Sequence, residues 1–380
     1  MRIRKQISLR QFWSGHSTEL KVTDEEIYEI VYKSYRKDLR ISKNRYQNVA
    51  TYVDEVFCAL AKYDKRFDFD PIPFEDNRCE IISSSEIKLV CELKNFPNNC
   101  YKIVGDIENG EAQIRMLEND DERSSETSWK DMYTNASRSE ENYLNTRKLL
   151  DNFTTALGQA VRDVWNKHRS VGLVYRVSDN QARIYIDIPE TGYFSVTLIP
   201  AVKINAYSTS GTGSTLDLIS SLAGQDPHLQ TLHAIAQPSV NFHDESWNIC
   251  YGTIEKTVMN AEQFTCGRVC LHALRHLLVS CKSPRFGLQS LTEWHLRTAV
   301  IQEFTKLPEA KDWTPTKFIK RLTGTLTSLK SCLREGIFVN HLSGANMLSN
   351  FDEKSLKVSM KDVEHAMHKF REKLTRWELS

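Results

Sequence analysis

The sequence has no long hydrophobic run, no excess of charge of either sign, and none of the short signatures that mark common enzyme classes. Its longest uncharged apolar stretches, Phe194 to Ala201 and Leu277 to Val279, fall far short of the ~20 residues that cross a bilayer, so a membrane is not an expected partner. Lys and Arg number 50 against 49 Asp and Glu, a net charge of +1. That balance excludes a histone-like polycation and an acidic solvating chain, and leaves nucleic acid at most a weak, local partner. No G-x-x-x-x-G-K-[ST], G-x-S-x-G or H-E-x-x-H occurs, which removes P-loop, hydrolase-elbow and zincin readings. After Met1, basic Arg2, Arg4, Lys5 and Arg10 alternate with polar residues and no apolar segment with a small-residue cleavage site follows. A cytoplasmic or nuclear address is therefore expected.

What is present is apolar material in quantity. In 380 residues, 40% are hydrophobic, 10% aromatic and 26% charged, enough for one large core or two modest ones. Nine cysteines, an odd number spread along the chain, suit buried thiols in a reducing compartment better than a disulfide framework. Cys266, Cys270, His272 and His276 come closest to a metal set. On one helix, however, Cys266 and Cys270 share a face that His272 and His276 do not, so one ion cannot meet all four, and no metal site is expected from them.

Three stretches divide the chain: a loosely ordered basic arm over 1–23, an α+β core over 24–245 and a helical lobe over 246–380. Thr23 is placed to cap a helix opening on Asp24, Glu25 and Glu26. Val49, Tyr52, Val53, Val56, Phe57 and Leu60 then repeat at helical spacing to about Tyr63. Lys33, Arg36, Lys37, Arg40, Lys43 and Arg45 read as its solvated face. Glu86 to Leu93 alternates as a strand, with Ile87, Leu89 and Cys91 on one face and Glu86, Lys88 and Val90 on the other. The region 106–141 is acidic and poor in apolar residues, and its centre, Asn119 to Ser128, reads as an exposed loop. Leu150, Phe153, Leu157, Val161, Val164 and Trp165 mark a second helix. Arg183 to Ile188 and Tyr193 to Val202 read as two strands paired across Pro189 to Gly192, the second buried on both faces. Ser208 to Ser214 is a connector. From Ala261 onward the pattern is helical: Val269 with Leu274, Leu277 and Leu278; Leu291 with Trp294, His295 and Thr298; Phe318 through Leu333; and Val358 to Trp377. Asp68 and Asp70, followed by Pro71 and Pro73, read as a rigid turn.

The ordered blocks Phe74 to Val90, Tyr193 to Val202, Trp247 to Lys256, Cys266 to Leu271 and Leu291 to Thr298 resemble the male-abnormal-twenty-one (Mab) family of the cyclic GMP-AMP synthase-like nucleotidyltransferase superfamily, as a divergent member. The resemblance implies a bilobal α+β nucleotidyltransferase-like fold: a twisted mixed sheet with flanking helices, an all-helical C-terminal lobe, and a nucleotide cleft. In active members a Gly-Ser turn holds the triphosphate and three strand carboxylates bind two Mg2+ ions, which need several anionic ligands because they repel one another.

At these positions the sequence departs from the family pattern. The first carboxylate maps to Glu86, but the second maps to Lys88 and the third to Thr197; Pro73 and Phe74 stand where the Gly-Ser turn should be, and Asn248 replaces a basic residue. Trp294 matches a base-stacking position and Arg275 a phosphate-facing one. The cysteine and histidine pattern of a zinc-ribbon insertion is missing. The resulting expectation is a non-catalytic, pseudo-nucleotidyltransferase member that acts as a nucleotide-binding or protein-scaffolding module, with no catalytic residue, no metal and no cofactor, and with Glu86, Lys88, Arg275 and Trp294 at a nucleotide. The alternative is a receptor that makes a cyclic dinucleotide from ATP and GTP on sensing double-stranded nucleic acid, using Mg2+ or Mn2+ with Asp187 or Asp70 as substitute ligand.

Overall fold

The computed structural model describes residues 23–76, 78–83, 85–97, 101–104, 111–117, 129–135, 142–178, 181–189, 192–205, 231–236, 245–260, 264–279, 291–342 and 344–378. The basic arm, the Asn119 to Ser128 loop and the Ser208 to Ser214 connector lie outside the described residues. The described chain forms two compact units: a sheet unit from Leu39 to Lys256, and a helical unit that takes residues up to Asp38 and from Thr257 onward.

Helix α1 (Asp24–Tyr63) contributes to both units. Thr23 Oγ1 accepts from the Glu26 N–H at 3.3 Å while the Glu26 carboxylate accepts from the Thr23 N–H at 3.0 Å. This capping box satisfies two backbone donors that the first turn would otherwise orphan. Val49, Val53, Val56, Phe57 and Leu60 are buried along the second half, as their spacing requires.

The sheet unit is built on β1 (Cys79–Ser83), β2 (Glu86–Glu92), β3 (Tyr101–Val104), β4 (Glu111–Met116), β5 (Tyr133–Asn135), β6 (Asn142–Leu144), β7 (Gly172–Ser178), β8 (Gln181–Ile188), β9 (Gly192–Asn205), β10 (Thr231–Ile235) and β11 (Ser246–Cys250). Its main path runs β1-β2-β9-β10-β11-β4-β6-β5, with β3 on β4 and the β7/β8 hairpin on β9. The sheet is mixed: β2 and β9 run parallel, whereas β8 and β10 pair antiparallel with β9. The continuous burial from Phe194 to Val202 follows from β9 lying between neighbours on both edges. The acidic region 106–141 proves more structured than its composition suggests. It supplies β4, whose Ala112, Ile114 and Met116 are buried on alternate positions, a period-two signal too short to stand out among the charges. The sheet also runs past residue 245, because β11 pairs with β10 and β4 and buries Trp247, whose Nε1 donates to the Leu144 carbonyl at 3.0 Å.

Helix α2 (Thr146–Lys167) is capped by Asn145, which accepts from the Lys148 N–H at 2.8 Å. Phe153, Leu157, Val161 and Val164 are buried, but Trp165 is exposed, since one residue beyond Val164 is a turn of about 100° away from the apolar stripe. Helix α3 (Gly252–Asn260) follows the sheet.

The helical unit contains α4 (Thr265–Val279), α5 (Glu293–Lys306), α6 (Phe318–Glu335) and α7 (Glu353–Glu378). Its core takes Val269, Leu274, Leu277, Phe304, Phe318, Leu322, Leu326 and Phe370. Gly336 ends α6 at φ 68, the left-handed conformation that closes a helix most cheaply with glycine.

Candidate functional site

Strand register decides which side chains meet on one face of the sheet. In the parallel β2/β9 pair Glu86 lies opposite Ser195 and Lys88 opposite Thr197. In the antiparallel β8/β9 pair Arg183 lies opposite that same Thr197. Thr197 therefore sits between a lysine and an arginine whose Cα atoms are two strand spacings apart, about 9 to 10 Å. Glu86 Oε1 is 3.8 Å from Arg183 Nη1, with both side chains about one quarter exposed.

Three polar atoms here are buried without a hydrogen-bond partner: Ser195 Oγ, Thr197 Oγ1 and Arg183 Nε. Leaving such groups unmade costs about 1 to 3 kcal/mol each, and the three lie at neighbouring register positions of β8 and β9. The donor set is two carboxylates, Glu86 and, opposite Lys88 on β1, Glu80, among two cations and two hydroxyls, and it does not fit a pair of Mg2+ ions. Those need several anionic oxygens, and Lys88 and Arg183 would repel them.

The substitute carboxylates do not close that gap. Asp187 shares the face of β8 with Arg183 but lies opposite Tyr193, four residues further along toward the hairpin end, about 13 Å from Arg183 by strand rise. Asp70 and Asp68 lie outside the strands and face Lys94, at 2.7 and 3.6 Å. The segment expected at the phosphate turn is packed inward: Ile72 and Phe74 are buried, Phe74 lies against Tyr46 with ring centroids 5.9 Å apart, and the Pro73 carbonyl accepts from the Asp76 N–H at 3.0 Å.

Further along the same face, Val90, Ile199, Ala201 and Ile235 form an apolar patch. Beyond it stands a polar group that the sequence pattern did not reveal. Glu92 meets His233 Nε2 at 2.7 Å and Arg78 at 3.8 Å, while Arg78 is paired with Asp76 at 2.7 Å. The His233 hydrogen bond, opposed by burial, holds the Glu92 carboxyl below its ordinary range. Only strand pairing brings these residues together, since Glu92 and His233 are far apart in sequence.

In the helical unit, Arg275 on α4 does not stand free for a phosphate: its guanidinium is forked onto Glu293 in the first turn of α5. Arg297 lies 4.0 Å from the same carboxylate. Trp294 is next to Glu293 and is 40% exposed, so its indole is a surface feature. His295 turns inward, where Thr292 and His295 complete a capping box at the start of α5. Burial pushes its imidazole down to about 4.

A model of the Mab-21 protein nucleotidyltransferase domain matches residues 77–261, and one of the Mab-21 protein HhH/H2TH-like domain matches residues 266–365. Between them the two segments span most of the chain, and the protein belongs to the Mab-21 family. Mouse cyclic GMP-AMP synthase is similar to it at 23% identity over 144 residues, covering 34% of this chain and 28% of the mouse protein. The matched stretch thus spans little more than a quarter of that relative's length.

Proposed function

We propose that this protein is a non-catalytic Mab-21 member that binds a nucleotide without divalent metal. The observation that carries the reading is the arrangement around Thr197: Lys88 and Arg183 flank a neutral hydroxyl at a register where the family pattern calls for carboxylates. Two cations beside two hydroxyls without a partner suit a phosphate, which accepts from all of them. Glu86 orients Arg183 and bounds the site on its other side. Taken within the helical unit by itself, Trp294 offers a ring on which a base stacks, a contact worth about 1 to 3 kcal/mol. Arg275 contributes only where a ligand anion displaces Glu293, so it is the weaker of the two. No step of bond formation is assigned to any of these residues.

The test is nucleotide-dependent thermal stabilisation with ATP or GTP, with and without EDTA, together with an assay for cyclic and linear dinucleotides in Mg2+ or Mn2+ and long duplex DNA or RNA. At 100 times the dissociation constant one bound nucleotide stabilises the fold by about 2.7 kcal/mol. The expected result is a stabilisation that EDTA leaves intact and Lys88→Ala reduces, with no dinucleotide product. Product that disappears in Glu86→Ala would make the protein a working synthase, and a stabilisation abolished by EDTA would mean that metal is bound at this face.

A further inference from the structure

Helix α4 carries two histidines, His272 and His276, four residues apart, so both project from one face. That face meets Asp38 of α1 within the helical unit. His276 Nε2 is 3.5 Å and His272 Nε2 3.9 Å from the same Asp38 oxygen, Oδ2. One ligand atom from each of the three residues lies within 4.8 Å of the other two. The two imidazoles are 4.5 Å apart, centre to centre, at an interplanar angle of 70°, so they do not stack. A tetrahedral ion with bonds of about 2.0 to 2.2 Å separates its ligand atoms by about 3.3 to 3.6 Å. The aspartate–His276 pair is already at that separation, and His272 is within about half an ångström of it from the same carboxylate oxygen.

The surroundings favour a cation of this kind. His272 is nearly buried, with its side chain 5% exposed, whereas His276 and Asp38 are 40% and 41% exposed. The group thus has a fixed inner wall and an open outer side. Tyr35 packs edge-on to His272 at 5.7 Å, and Ser34 Oγ lies 3.4 Å from its Nε2. Arg275, the cation next to His276 in the chain, is paired with Glu293.

We propose that Asp38, His272 and His276 form a site for a Zn2+-class ion that ties α1 to α4 and leaves one coordination position open to solvent. Two imidazoles and a carboxylate are a borderline donor set, suited to zinc and poorly suited to Mg2+ or Ca2+. Three protein ligands with a free position is also the arrangement in which zinc holds a water or an external donor. The cysteines of α4 take no part, since Cys266 and Cys270 are buried in the helix packing and burial raises the Cys270 thiol well above its ordinary range. None of its three residues is among those of the nucleotide reading, although Arg275 of that reading is the neighbour of His276 on α4.

The full chain is stripped with chelator, dialysed, and titrated with Zn2+ alone, following thermal stability; Co2+ is then substituted and its visible spectrum recorded. Expected are a stabilisation that saturates at one equivalent, absent with Mg2+, and the d–d bands of a four-coordinate cobalt centre without thiolate charge transfer. His276→Ala and Asp38→Asn, both at half-exposed positions, should keep the circular dichroism of the parent. Each should weaken binding by more than about 100-fold, beyond what loss of an outer-shell partner costs. Cys266→Ser should bind as the parent does. Zinc binding unchanged in His276→Ala, a thiolate-to-cobalt band, or no stabilisation by Zn2+ at one equivalent would each overturn the proposal. A nucleotide response in His276→Ala equal to that of the parent would confirm that the two sites are separate, and its loss would refute that separation.

Discussion

Two polar regions of this molecule are built on opposite terms. In the helical unit three guanidiniums of α4, α5 and α6 meet carboxylates: Arg275 and Arg297 face Glu293, and Arg321 lies 3.5 Å from Glu303 with both side chains nearly buried. On the sheet face, Glu80 and Glu86 stand beside Lys88 and Arg183, and the hydroxyls of Ser195 and Thr197 have no partner. The first region is built of ion pairs inside the fold, although Arg321 Nε and Thr298 Oγ1 are buried there without a partner as well. In the second, the proposed ligand supplies the partners of the two hydroxyls. Stability should therefore respond to mutation strongly in one and weakly in the other, while ligand binding should respond in the reverse order.

The largest expected effect is in the helical unit. Glu303→Ala leaves Arg321 buried and uncompensated, and urea denaturation should show a loss of about 3 to 5 kcal/mol. A loss below about 1 kcal/mol would mean that the cluster does not hold the unit together.

Next is acid. Burial, aided at His341 by Arg297, pushes His341 down to about 3, and burial lowers His295 to about 4. Both folded values lie below the unfolded 6.5, so the unfolded state takes up the protons first and stability falls as pH drops below 6.5. The slope is about 1.4 kcal/mol per pH unit for each histidine, until the folded value is reached. Equilibrium unfolding between pH 7 and 4.5 checks this, and replacing His295 with Asn should flatten the slope.

Thr197→Val sharpens the comparison most directly. It removes a hydroxyl that has no partner and keeps the shape, so stability should stay within about 1 kcal/mol of the parent or rise, while nucleotide-dependent stabilisation falls. A clear destabilisation would show that Thr197 serves the fold. The smallest effect on stability is expected at Trp294→Ala, about 1 kcal/mol or less, because a substantial part of the ring is exposed. Its cost should appear in nucleotide affinity.

The elements themselves were legible because each rests on a local signal. The spacing of Val49 to Leu60, the alternation of Glu86 to Leu93 and the apolar run at Tyr193 became α1, β2 and β9, and the ordered family blocks gave the fold. Strand β4 was missed because its alternation is only six residues long and set among charges. Trp165 was placed on the wrong side because helical spacing was read too loosely by one residue.

The sequence alone determined that β2 carries Glu86 and Lys88 on one face and that β9 carries Thr197, because alternation along a strand needs no coordinates. It also displayed the pair His272 and His276, since four residues make one turn of helix. Only the tertiary structure decided what those residues face. Parallel register set Thr197 between Lys88 and Arg183; helix packing gave Arg275 to Glu293 and brought Asp38 to the two histidines. Each of these partners is contributed by a separate element, and the packing that brings them together depends on the whole core rather than on any local run of residues.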